Sequence, residues 1–409
     1  MKKLILSLFL VAFFNLTAAA QNYNFQHYTT AEGLPNNTII CCIQDKMGFI
    51  WIGTRDGVSL YDGYNFLKFS GEDKEGILRG KILIMYQDSK ERIWFSTANG
   101  TGYFDPYTNS VKRVFSQDSP VFYSITEDAA GNIWMSSTEA YAKVDGATGQ
   151  NSVFDARMDQ SSQAIYFEPE GGNHVWMTSD SGKIKRINTT SGKYDEFDIF
   201  DGSDRKEGEH PVRIVDYKDE YILISTNHNR IVKFNTDDHS YSTIFSNNSL
   251  SIINYIKYDR LRDIIFIGTQ NGLVVFNEKT GIETIIQDSN EFGLSNSNIT
   301  CITSDHEGNI WVGTFHGGLN MLKDEKDALV QYISSTNDAD ALHGKLIRAV
   351  TEDDAGNIWV GSEDGYLSRI RKSENKIDNF INIGKHNYQC LIHVNDEIWA
   401  GTFGDGIII

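Results

Sequence analysis

The feature that most constrains this chain is a short pattern, hydrophobic-Trp-x-(Gly/Ser/Thr)-(Thr/Ser), which takes up all 7 of its Trp residues. It first reads Ile50-Trp51-Ile52-Gly53-Thr54 and recurs around Trp94, Trp134, Trp176, Trp311, Trp359 and Trp399. Two copies without Trp, Ile222-Leu223-Ile224-Ser225-Thr226 and Ile265-Phe266-Ile267-Gly268-Thr269, fill the gap between Trp176 and Trp311. The nine copies stand 40 to 48 residues apart, with a mean of 43.5. A period of that length built from short strands marks a β-propeller blade, a unit that buries its faces only by stacking on its neighbours.

Each copy divides into four strand-like runs. In the seventh these are Asn298–Ser304, Asn309–Thr314, Gly318–Leu322 and Leu329–Ile333. Acidic turns such as Asp128-Ala129-Ala130-Gly131-Asn132 join the first run to the second. Asp capping its own turn and Gly at positive φ is ordinary hairpin chemistry. These turns lack the alternating oxygen ligands and closing Glu of a calcium loop, so no metal site is expected in them. The Trp, beside a small residue, is expected to pack against the next blade as core.

Nine copies exceed one ring of usual size. The expected layout is a signal peptide over 1–20, a seven-bladed propeller over 21–330, and two blades of a second, truncated propeller over 331–409. The last residues, Gly406-Ile407-Ile408-Ile409, fall inside a third strand. Two blades alone would expose strand edges, so the sequence reads as the N-terminal piece of a longer protein. Ring closure is expected to use residues 23–28 as the outer strand of the Trp311 blade, freeing Leu329–Ile333 to start the second ring.

Met1-Lys2-Lys3, the apolar run Leu4 to Leu16 and the small residues Ala18-Ala19-Ala20 before Gln21 form an export signal. A retained N-terminal anchor is the alternative, although about 13 apolar residues are short for a membrane span. No Cys follows the apolar run, which argues against a lipoprotein. With 37 Lys+Arg against 55 Asp+Glu, the net charge of −18 repels phosphate backbones, and no basic block offsets it. Nucleic acid is therefore not an expected partner. Only 4 Cys exclude a disulfide-dense scaffold. Cys41 and Cys301 hold equivalent positions ten residues before their Trp, as two buried thiols or, less readily, a disulfide.

The runs Gly33-Leu34-Pro35-Asn36-Asn37-Thr38-Ile39 and Gly293-Leu294-Ser295-Asn296-Ser297-Asn298-Ile299 each lead into Asp-x-x-Gly-x-Ile-Trp-x-Gly-Thr, and Asp56-Gly57 opens the next strand of the first. This pattern resembles the two-component regulator propeller repeat found in the periplasmic sensor half of hybrid two-component systems. The resemblance covers residues 22–409, with copies five and six departing by their lack of Trp. It implies two seven-bladed propellers, then an immunoglobulin-like domain, a membrane helix, and cytoplasmic kinase, receiver and DNA-binding modules in parts absent here. It also implies a periplasmic sensor for an oligosaccharide released by glycan breakdown, switching on genes for its use. Homodimerisation of the full-length receptor is left open.

Two other classes stay open: a propeller lyase or hydrolase acting on polysaccharides, and a secreted protein-interaction scaffold. Propeller enzymes gather His, Asp, Glu or Arg on the innermost strands. Here Thr38–Ile43, Lys81–Tyr86 and Ser251–Ile256 are mostly apolar or small, and the 10 His are scattered. No catalytic residue and no cofactor is expected in this segment. The ligand site is expected where the turns between second and third strands of blades one and seven meet. There Arg55 and Asp56 offer planar hydrogen-bonding groups, and Phe315 and His316 offer a ring face for a sugar.

Overall fold

The computed structural model describes residues 23–69, 73–74, 76–138, 140–155, 165–167, 173–179, 182–200, 205–218, 220–288, 293–324, 334, 341–371, 376–380 and 385–409. The export signal expected at 1–20 and the strand expected at 329–333 lie outside the described residues. Among those described, every regular element is a β-strand, and within each sheet adjacent strands pair antiparallel. The chain divides into two compact units, residues 1–327 and 328–409.

The first unit contains seven four-stranded sheets among the described residues. Blade one runs Ile39–Gln44, Ile50–Thr54, Gly57–Tyr61 and Phe66–Lys68, and the same order repeats through blade six, which ends on Glu283–Ile286. The first strands neighbour one another in a closed cycle, Ile299–Ser304 of blade seven lying against Ile39–Gln44 of blade one. Phe25–Tyr28 completes blade seven by pairing with Leu319–Leu322, as expected for closure, in the register Phe25↔Leu322 to Tyr28↔Leu319. The pairing removes the free edge of that sheet.

Three side-chain devices explain why the repeat needs its residues. The turn Asp is more than a cap, because its second carboxylate oxygen accepts the indole N–H of the Trp six residues on. The Nε1–Oδ2 distance is 2.7 Å from Trp51 to Asp45, 2.7 Å from Trp94 to Asp88, 2.8 Å from Trp134 to Asp128 and 2.7 Å from Trp311 to Asp305. A Trp can thus be buried whole with its one donor satisfied. Each Trp packs into the following blade: Trp51 on Ile82 and Met85, Trp94 on Ile125 and Ile133, Trp311 on Ile39 and Ile52. In the two degenerate copies Leu223 and Phe266 fill the same place against Ile256 and Ile299. In the Phe266 copy the carboxylate of Asp259 takes the Arg262 guanidinium instead, at 2.5 Å.

The repeat Gly lets the next blade come close. A Cβ on Gly53 would stand 2.9 Å from Ile82 Cγ2, one on Gly313 2.7 Å from Ile39 Cγ2, and one on Gly268 2.6 Å from Ile299 Cγ2. Finally, the turn of one blade hooks the end of the next blade's first strand. Lys46 N donates to Gln87 Oε1 at 2.9 Å and Ser89 N to Glu127 Oε2 at 2.6 Å. His306 N donates to Gln44 Oε1 at 2.6 Å, which repeats the hook across the closure.

The second unit holds a four-stranded sheet, Ile347–Glu352 to Lys376–Phe380, and a three-stranded one, Tyr388–Val394, Glu397–Thr402 and Ile407–Ile408. It keeps the Trp–Asp bond, Trp359 Nε1 to Asp353 Oδ2 at 2.8 Å.

Candidate functional site

The turns carrying the expected site residues sit at one end of the first ring. Thr54 Oγ1 donates to Gly57 O at 2.9 Å, and Thr314 Oγ1 donates to Gly318 O at 2.8 Å, so each Thr closes its own turn. Arg55, Asp56, Phe315 and His316 are left exposed at the tips. The segment Asn36–Thr38, which leads into the first strand of blade one, ties both turns together. Asn36 Nδ2 donates to Asp56 Oδ2 at 2.8 Å, Thr38 O accepts from Arg55 N at 3.1 Å, and Asn37 O accepts from Gly318 N at 2.8 Å. Thr38 Oγ1 lies 3.1 Å from His316 Nδ1. Closure thus brings the two expected pairs to one linking segment, and Asn36, Asn37 and Thr38 join them.

His316 has a φ of 76°, a left-handed conformation that costs a non-Gly residue roughly 1–3 kcal/mol. Its contact with Thr38 holds it there, and its ring lies 4.0 Å centroid to centroid from that of Phe315. The result is an exposed ring pair beside an Asn–Asp amide–carboxylate pair. Such a surface can offer an apolar face and planar hydrogen-bonding groups to a polyhydroxylated ligand.

At the opposite end of the ring, where the acidic turns lie, the central channel opens into a cavity of about 590 Å³. None of Arg55, Asp56, Phe315 and His316 lines it. First-strand positions register-paired with the Trp, or its substitute, form one layer of the channel: Ile43, Tyr86, Thr126, Val215, Lys257 and Thr303. The run Ser251–Ile256, apolar as read from sequence, stops one residue short of Lys257. A second cation, Arg213, stands in the degenerate copy five. Its Nε donates to Asn254 O at 2.5 Å, and its guanidinium lies 4.8 Å from the Tyr255 ring centroid. Burial pulls the Arg213 and Lys257 cations down from their ordinary pKa values and pushes Tyr255 up to about 12.

All four Cys are free thiols, and Cys41, Cys42 and Cys301 are buried. Burial pushes the Cys301 thiol up to about 12, which leaves it protonated and unreactive at neutral pH. Among the described residues one group has metal-ligand geometry: Asp354, His393 and Asp396 of the second unit, each with a donor atom within 4.8 Å of the others. His393 occupies the strand position that Gln44 uses for the interblade hook, and both Asp residues are exposed.

The two component regulator propeller family matches residues 33–56 and 293–316, the two segments that meet at the closure and carry every expected site residue. Over 64 residues the chain is 39% identical to histidine kinase P4 of Formosa agariphila, a match covering 15% of this chain and 5% of that protein. Among solved structures, the extracellular domain of the hybrid two component system BT3049 from B. thetaiotaomicron superposes with a TM-score of 0.61 at 21% identity, covering 94% of this chain and 53% of that one. The extracellular domain of BT4673 from the same organism gives 0.62 at 18% identity, with 93% and 52% covered. A virginiamycin B lyase from Staphylococcus aureus gives 0.57 at 17% identity over 74% of this chain and 99% of the lyase. The chain spans about half the length of the two sensor domains, and at these identities the likeness is one of fold. Two segments of this chain thus match the two component regulator propeller repeat, and the chain has the fold of the extracellular domains of hybrid two-component systems.

Proposed function

We propose that the chain is the extracytoplasmic ligand-sensing part of a hybrid two-component receptor, and that its ligand is an oligosaccharide produced by glycan breakdown. One observation carries the reading. The two segments matching the regulator propeller family are brought together by ring closure, and they bear the exposed Arg55, Asp56, Phe315 and His316 around Asn36–Thr38. In this reading Asp56 and Asn36 hydrogen-bond sugar hydroxyls, Arg55 adds a planar donor fork, and the Phe315–His316 pair covers a sugar ring face. The chain itself does no chemistry, and kinase output belongs to the longer protein. Export delivers the ring to the periplasmic side, and homodimerisation of the receptor couples occupancy to output.

The test is calorimetric titration of a panel of neutral and acidic oligosaccharides against the chain, with Arg55→Ala and Phe315→Ala variants. At least one ligand is expected to bind the parent, and each variant is expected to weaken it about tenfold, the worth of one good hydrogen bond or stacking contact. Unchanged binding in both folded variants rules out this site, and silence across the panel rules out the oligosaccharide.

A further inference from the structure

We propose that the central channel of the first ring is a second binding site, one that takes an anionic group, a carboxylate or sulfate, carried on a small sugar. The inference goes beyond the sensing site above, which lies at the other end of the ring and does not line this cavity.

The argument begins with charge pairing. The chain carries a net charge of −18, yet two half-buried cations of the channel, Lys257 and Arg213, have no carboxylate within 4 Å among the described residues. The nearby carboxylates are already engaged. Asp216 is bound by Arg260, and Asp259 by Arg262, whose other nitrogen reaches Asp324 at 3.1 Å. They act on Lys257 only at longer range, and Arg260 opposes them. An unpaired charge that is partly withdrawn from water is unfavourable, and an anionic ligand would complete the pair.

The cavity fits a small occupant. Its volume of about 590 Å³ falls in the range of small-molecule sites. Lys257 is the one charged member of its channel layer among the described residues, and Tyr86 and Thr126 share that layer. Tyr255 also lines the cavity, backed by Arg213 against its ring. The cavity also holds Asp216, Asp259 and Asp305, but Arg260, Arg262 and the Trp311 indole engage them, so an ammonium with aromatic walls is left to take the anionic oxygens of an acidic sugar while the rings take its apolar face. Burial also lowers the ammonium's pKa, and an anion beside it would restore that pKa, so occupancy and protonation reinforce each other.

The experiment compares cellobiouronate with cellobiose, which differ by one carboxylate for one hydroxymethyl, by calorimetry on the full chain. The parent is expected to bind the acid at least about tenfold more tightly than the neutral sugar, as one charge-assisted hydrogen bond allows. Lys257→Met is expected to abolish that preference, and Lys257→Arg to keep part of it. Sodium sulfate, against sodium chloride at equal ionic strength, is expected to raise the melting temperature of the parent and leave that of Lys257→Met unmoved. Lys257→Met should also melt no lower than the parent in chloride, because it removes a desolvated charge. A purely structural lysine would lower it. Equal affinity of parent and Lys257→Met for cellobiouronate overturns the proposal, as does the absence of both the carboxylate preference and the sulfate shift. A neutral sugar that binds through Phe315 and ignores Lys257 overturns the channel site while leaving the sensing reading intact.

Discussion

Removing the Asp305 carboxylate probes the bond on which the repeat depends. Asp305 is buried and accepts from Asn309 N at 2.7 Å, Asn309 Nδ2 at 2.8 Å and Trp311 Nε1 at 2.7 Å. Trp311 is 2% exposed, so in Asp305→Ala its indole N–H has neither protein nor water to bond. Stranding such a donor costs roughly 1–3 kcal/mol. Asn309 is only half-buried and can turn to water, which limits its share to about 1 kcal/mol. Asp305→Ala should therefore cost about 3 kcal/mol. Trp311→Phe keeps an aromatic ring in place and removes the donor, so adding Asp305→Ala to it should cost about 2 kcal/mol less than in the parent. Urea unfolding followed by far-UV circular dichroism supplies the four stabilities of the cycle. If the two single changes add to within about 0.5 kcal/mol, the Asp–Trp bond is incidental and the repeat has been explained wrongly.

Three further outcomes follow from the same geometry. Gly313→Ala puts a methyl 2.5 Å from Cys301 Sγ and 2.7 Å from Ile39 Cγ2, and should cost about 1–3 kcal/mol in urea unfolding, part of it recovered by adding Cys301→Ala. Tyr28→Ala should cost roughly 3–5 kcal/mol, because Tyr28 is buried, stacks on Trp311 at 5.8 Å and lies in the strand that closes the ring. A variant that unfolds at the parent's urea concentration would show that closure does not depend on this strand. In the second unit, desolvation tends to raise the Asp353 carboxyl, but bonds from Trp359, Asn357 and Ala355 outweigh it and bring the pKa from 3.8 down to about 2. A depressed folded-state pKa stabilises above the unfolded value and is lost as pH falls through the folded one. Exchange of the Trp359 indole proton should accelerate between about pH 4 and pH 2, and Asp353→Asn should flatten that profile.

The repeat was legible because each of its residues answers to a backbone neighbour at fixed spacing. Trp and Gly recur every 40 to 48 residues since every blade presents the same wall to the next. Even closure by residues 23–28 could be argued from the need to cover a strand edge. The Asp–Trp bond was missed, because a turn Asp already has a local explanation and spacing alone does not say where its second oxygen points. The turns at 55–56 and 315–316 follow from the strand repeat, whereas Asn36–Thr38, which bonds to both, stands in the sequence only as part of a motif. Its bond to Asp56 is local to blade one, but those to Gly318 and His316 exist only once the ring has closed, across some 280 residues.

The channel cations went unread for a different reason, and that reason carries information. In the blades of Trp51, Trp94, Trp134 and Trp311 one large ring fills the gap to the next blade, with the turn Asp already committed to it. Blades five and six give up the Trp for Leu223 and Phe266, which need no acceptor. That releases Asp259 to bind Arg262, while Asp216 of blade five binds Arg260 of blade six, and these pairs surround the position where Lys257 enters the channel. The departure from the repeat and the unpaired cations therefore occur in the same two blades. A blade that only had to hold the ring would gain little from exchanging a satisfied Trp–Asp pair for partly exposed ion pairs, since such pairs contribute little to stability. The exchange makes physical sense where the charges meet something the ring itself does not contain, and Lys257→Met, tested with an acidic and a neutral sugar, measures whether they do.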